Sequence, residues 1–231
     1  MSLRRKSPLN FRRARIGIIF SLSSSEALTS AFVVSHHQEN GRGPTPTRCA
    51  SVSQHLARMI PPLPTDEVQR LQAVRTYEAR MKRHRPHHRH LVEIVAGAFE
   101  VPMAFVTMID INQQRFNACY GVHLPPIDRR LSLCAHAMLE RGVTVVPNAR
   151  QDPRFMRNPL VLGEPNIRFY AGAPLRTPAG HVIGTLVIAD AQPRELGRGH
   201  RALLEEFAQM IMDELQREES RPTAPLTLET F

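Results

Sequence analysis

The sequence predicts an α+β domain: a single antiparallel β-sheet, with helices from both ends of the domain on one face and a loop-built cavity on the other. Three observations carry this. Residues 167–175 and 181–190 are strand-length apolar runs flanking Thr177-Pro178-Ala179-Gly180, where Pro and Gly supply the chemistry of a hairpin turn. Helical apolar periodicity occupies the segments before and after the strand-rich centre. A long connection, 148–166, is punctuated by Pro153, Pro159 and Pro165, and connections of that length in compact domains usually carry function.

The elements follow in order. Met59 to Pro64 is a stiff, extended lead-in. A helix is expected from Asp66, with Gln69 three residues on and Val68, Leu71, Val74 and Tyr77 as its apolar stripe. A second helix begins at Leu91, with Ile94, Val95, Ala98 and Phe99 inward. Residues 103–109 form a buried strand, Asp110-Ile111-Asn112 its turn and 114–120 the return strand, before a loop over 121–130. A short helix at 132–139, a short strand at 143–146, the long loop and the hairpin come next. A closing helix over 200–216 presents Leu203, Leu204, Phe207, Met210, Ile211 and Leu215. In the first hairpin strand Ile167, Phe169, Ala171, Ala173 and Leu175 alternate with Arg168, Tyr170, Gly172 and Pro174, so one face is apolar and the other carries Arg and Tyr.

Composition narrows the function. The net charge of +9 is unevenly spread: residues 1–90 hold 16 Lys/Arg against 5 Asp/Glu, and residues 91–231 hold 14 against 16. Nucleic-acid binding by the folded domain thereby loses its main support, and the absence of Trp removes a stacking platform. The basic excess belongs to the N-terminal third, which opens with a leader, residues 1–58, rich in Arg and Ser. This leader reads as a disordered tail or an early start in preference to a transit or secretory peptide, although organelle targeting stays open. Residues 218–231 read as a frayed tail. Three cysteines without a Cys-x-x-Cys pair fit a reducing compartment, so the cytoplasm is expected. No run of about twenty apolar residues exists to span a membrane.

Several stretches in fixed order, PLPTDEVQRLQAVRTYE, VPMAFVTMID, SLCAHAM, VVPNARQDPRFMRNPLV and IRFYAGAPLRTPAGHVIGTLVIAD followed by PREL, resemble the GAF domains of bacterial sensor kinases and diguanylate cyclases over residues 61–217. The resemblance implies a six-stranded antiparallel sheet, a small-molecule pocket and dimerisation through the terminal helices. It also implies signalling to a partner such as a kinase or cyclase. Val187 stands where the family usually has Cys, and Arg115-Phe116 where it has Trp-Phe. No kinase, cyclase or phosphodiesterase motif follows in this sequence, so the expectation is a stand-alone sensory module without a catalytic constellation. Neither the ligand nor a cofactor is specified.

Arg168 and Tyr170 are candidates to grip an anionic or carbonyl-bearing ligand, against the alternative of an Arg tied to Asp152. Phe116 is a candidate stacking residue, Phe155 a plug in the Asp152-Pro153-Arg154-Phe155 turn, and Cys134 a pocket residue. Two alternatives compete with the sensor. One is a thiol enzyme of the methionine-sulfoxide-reductase kind using Cys119 and Cys134, which fare better as small buried hydrophobes. The other is a structural dimerisation unit. His136 reads as a packed histidine. His84, His87, His88 and His90 invite a metal reading, but Pro86 interrupts them, five Lys/Arg surround them and no carboxylate joins them nearby. A solvated basic linker is therefore expected there.

Overall fold

The computed structural model describes residues 60–217, so the expectations for the leader and the tail lie outside the described residues. Helices α1 (Glu67–Arg83) and α2 (Arg85–Ala98) precede strands β1 (Met103–Ile109), β2 (Gln113–Tyr120) and β3 (Ile127–Asp128). A single 3-10 turn (Arg129–Leu131), α3 (Leu133–Ala137), β4 (Thr144–Val146) and α4 (Pro159–Leu162) follow. The hairpin β5 (Phe169–Arg176) and β6 (Val182–Asp190) leads into α5 (Arg198–Arg217). The six strands form one antiparallel sheet in the order β3-β2-β1-β6-β5-β4.

The sheet separates two hydrophobic cores, because side chains alternate across a strand. On one side α1, α2 and α5 cover Ala104, Val106, Ala171, Leu186 and Ile188. On the other, α3, α4 and the long connection cover Phe105, Ile109, Tyr170, Val187 and Ala189. In β5, Phe169, Ala171 and Ala173 belong to the helix-side core and Tyr170 to the loop-side core.

Several sequence expectations are corrected here. Pro86 does not break the helical run: it falls in the first turn of α2, where its missing N–H costs nothing, so the basic His-rich stretch is helical and not a linker. A carboxylate does join it, since Glu214 of α5 bonds to His84 and His87. The buried stripe of α1 is Arg70, Val74, Tyr77 and Met81, while Val68 is 68% exposed. Asp66 makes no side-chain cap; its carboxylate takes His181 Nδ1 at 2.5 Å. In α2, Val92 and Ala96 are buried in place of Ile94 and Ala98, and in α5, Ala208 and Met212 in place of Met210.

Arg70 is the anchor that the sequence hides. Its guanidinium enters the core and donates to Ile109 O at 2.7 Å and Val182 O at 3.3 Å, fixing α1 to the ends of both central strands. Glu67 grips it with both carboxylate oxygens, at 2.7 and 2.9 Å, and also accepts from the buried Arg129. Burial acts against the Glu67 charge, but the two guanidiniums outweigh it and hold the carboxyl below its ordinary range.

Candidate functional site

The loop face of the sheet holds a small cleft lined by Phe105, Gln114, Phe116, Leu133, Cys134, Leu160 and Tyr170, with Leu124 and Ile127 at one side. Its floor is β1, β2 and β5. Its walls are α3, the segment before β3, and α4. The cleft leaves about 10 Å³ for the centre of a water-sized sphere, which is about enough for one water molecule.

Each wall is fixed by local chemistry. Ser132 caps α3 by accepting from Ala135 N at 2.8 Å, and its hydroxyl donates to Gln114 Oε1. Asn158 caps α4 by accepting from Leu160 N at 2.9 Å, and its amide donates to Leu131 O at 2.7 Å, fastening the lid to the 3-10 turn. Arg168 donates to Val161 O at 2.7 Å and to Ile167 O at 3.1 Å. The lid is therefore held by a side-chain amide and a guanidinium, each bonded to a backbone carbonyl.

Three of the six sequence candidates meet at the cleft: Phe116, Cys134 and Tyr170. Arg168 does not line it, because its guanidinium donates to lid carbonyls, and the expected Arg-lined face is corrected to a small cleft set in a packed second core. Asp152 binds Arg154 at 2.7 and 3.0 Å and not Arg168. Burial opposes the Asp152 charge, but Arg154 outweighs it and keeps the carboxyl below its ordinary range. Phe155 is fully buried, edge-on to His136 at 5.1 Å, with the Arg154 guanidinium 4.8 Å from its ring centre.

Under the cleft lies a buried polar cluster. Thr107 and Thr185, directly opposite on β1 and β6, bond through their hydroxyls at 2.8 Å. The Tyr170 ring lies across Gly172, where a Cβ would fall 2.3 Å from the Tyr hydroxyl. That hydroxyl makes no hydrogen bond of good geometry, and its polar neighbours are Cys134 and Thr185. Burial raises the Tyr170 pKa well above normal, and raises that of Cys134 against the pull of the surrounding hydroxyls. Burial also pushes the Cys119 thiol up to about 11. Both thiols keep their protons at neutral pH and are poor nucleophiles.

Sequence reasoning missed Gln114, Thr107 and Thr185. For Thr107 and Thr185 the signal is a polar residue in an otherwise apolar strand, which the frequency of Thr in strands masks, and Gln114 is hidden among the polar residues of β2.

Comparison with known proteins places this geometry among relatives. A GAF domain model matches residues 83–215. The chain is 45% identical over 124 residues to a cyclic di-GMP phosphodiesterase of Pseudomonas aeruginosa, an alignment covering 52% of this chain and 21% of that protein. The chain thus spans about a fifth of the length of the curated relative it matches. Among solved structures, the GAF domain of a phosphoenolpyruvate-protein phosphotransferase from Coxiella burnetii aligns with a TM-score of 0.51 at 14% identity, covering 65% of this chain and 95% of that one. The type II free methionine-R-sulfoxide reductase from Thermoplasma acidophilum also aligns with a TM-score of 0.51 at 14% identity, covering 59% and 96%. At such identity these two report the fold alone.

Proposed function

The chain belongs to the GAF domain family, a family of sensory modules, and we propose that it is a regulatory input unit that reports the state of its loop-side core to a signalling partner through α5. One observation carries this reading: β5 turns Tyr170 into the loop-side core and Phe169 and Ala171 into the core beneath α5. A displacement of Tyr170 therefore reaches the terminal helix across the thickness of one strand. The mechanism is a population shift between two arrangements of loop and helix, biased by whatever binds one of them better. The likeness to part of a cyclic di-GMP phosphodiesterase supports a partner in cyclic-dinucleotide signalling, in which this domain would be the input and a catalytic unit the output.

A small ligand on the loop face must make its own room, because the cleft takes about one water. The unsatisfied Tyr170 hydroxyl supports such a role, since a buried polar group without a partner is rare and marks places where a ligand or water completes the bonding. A second reading, a module that responds to protein contact alone, is favoured by the same small volume. A thiol enzyme is disfavoured by the raised pKa values of both cysteines.

Thermal shift and equilibrium dialysis of the full chain against cyclic dinucleotides, mononucleotides, amino-acid metabolites and tetrapyrroles separate these readings. A bound compound that slows amide exchange at both 159–162 and 198–217 supports the ligand-gated relay. A panel without binders leaves the contact-driven form, and an α5 whose exchange ignores Gly172→Ala sinks the relay altogether.

A further inference from the structure

His84, His87 and His88 are spaced i, i+3, i+4 across the junction of α1 and α2, which puts all three on one face. Glu214 of α5 faces them. Its Oε1 takes His84 Nδ1 at 2.7 Å and also His87 Nδ1, and its Oε2 lies 3.7 Å from His88 Nε2. The donor atoms of His84, His87 and Glu214 all fall within 4.8 Å of one another. Ligands around one zinc ion, at about 2.0–2.1 Å from it, stand about 3.3 Å apart, so small rotations of exposed His87 and of the Glu carboxylate close the set.

We propose that His84, His87 and Glu214 bind a divalent cation of the zinc class, which clamps the end of α5 to the junction of α1 and α2. Two imidazoles and one carboxylate suit zinc and related ions in preference to magnesium or calcium, which take oxygen donors. A second observation points the same way. His88 is fully buried, its Nε2 has no hydrogen-bond partner, and that atom faces Glu214. Its Nδ1 meets the Asn117 side-chain amide at 2.8 Å. The amide nitrogen of Asn117 donates to Nδ1, so the proton sits on Nε2 and points toward the Glu214 carboxylate, the outer-shell support that ligating carboxylates receive. Asn117 reaches His88 from the bulge of β2, where the register slips opposite Val106 and Thr107. The surrounding cations are Arg80, Lys82, Arg83, Arg85 and Arg89. Arg80 is turned onto the Tyr77 ring and Leu215 O, and Lys82 pairs with Glu78.

The test is zinc titration of the chelator-stripped full chain, read by native mass spectrometry and thermal melting, for the wild type, His87→Ala and Glu214→Gln. His87 is 62% exposed on its side chain, so its removal leaves the core intact. The site predicts one zinc per chain and a melting temperature raised by about 5 °C at saturation. It also predicts affinity lowered about tenfold or more in each variant. Failure of the wild type to bind zinc overturns the proposal. So does binding of equal strength in both variants, which would place the ion elsewhere among the chain's 11 histidines.

Discussion

Two single residues expose the physics of this domain. Gly172 is small because Tyr170 lies flat upon it, and an added methyl would sit 2.3 Å from the Tyr hydroxyl. Gly172→Ala should push the ring off the sheet, loosen the lid and cost about 1–3 kcal/mol by overpacking. Urea unfolding measures the cost, and faster exchange at 159–162 marks the loosened lid. His88 is the second. Burial pushes its pKa down to about 4, against the attraction of Glu214 and helped by His84 and His87. An unfolded histidine titrates near 6.5. Between those values the unfolded chain binds a proton that the native state refuses, so stability is unaffected above about pH 6.5 and falls as pH drops toward 4. By pH 5 the loss from this residue alone should be about 2 kcal/mol. Urea midpoints between pH 7 and 5 check it, and His88→Gln should flatten that part of the profile.

At the scale of elements, the β5–β6 hairpin was legible because alternation and turn residues are local signals. The phase of α1 was not. Val68 and Leu71 look like an apolar stripe, but Arg70 turns inward because Glu67 neutralises it and two strand carbonyls satisfy it. Only the fold brings those partners together. Pro86 misled for a related reason: a helix breaker and a helix starter are the same residue, and only the position of the first turn distinguishes them. Strand alternation singled out Tyr170, and Phe116 and Cys134 were readable as single candidates, and all three line the loop-side cleft, but the packing of Tyr170 across Gly172 was not legible. The Arg70–Glu67–Arg129 tie gives a sharp expectation. Glu67→Gln leaves two buried guanidiniums without a counter-charge and should cost on the order of 3 kcal/mol, measured by urea unfolding. Asn158→Ala removes the cap of α4 and its bond to Leu131 O. It should cost about 1 kcal/mol, with faster exchange at 159–162 and an undisturbed sheet.

At the scale of the whole molecule, acid should unfold this domain in two stages, because the perturbed groups that titrate on the acid side are all lowered. His88 acts first, as its unfolded pKa is passed. Four carboxyls follow: Glu67, Glu78, Asp128 and Asp152 are all held below their ordinary range. At Glu78 the Lys82 hydrogen bond leads, and at Asp128 that of Arg130. At Glu67 and Asp152 burial works the other way and is outweighed by guanidiniums. Between the ordinary carboxyl pKa, about 4, and the lower native values, the unfolded chain again binds protons that the native state does not. The stability these groups contribute is complete above about pH 5 and declines as pH falls through that window. Salt separates them: the half-exposed pairs of Asp128 and Glu78 are screened, whereas Glu67, clasped between buried Arg70 and Arg129, is screened much less. Urea midpoints followed from pH 7 to 3 at low and high salt should therefore show a first decline that salt leaves unchanged and a second that it only partly removes. A flat profile down to about pH 4 would mean that His88 has a solvated, chargeable site in the native state, contrary to the burial that holds it on α2 against the bulge of β2.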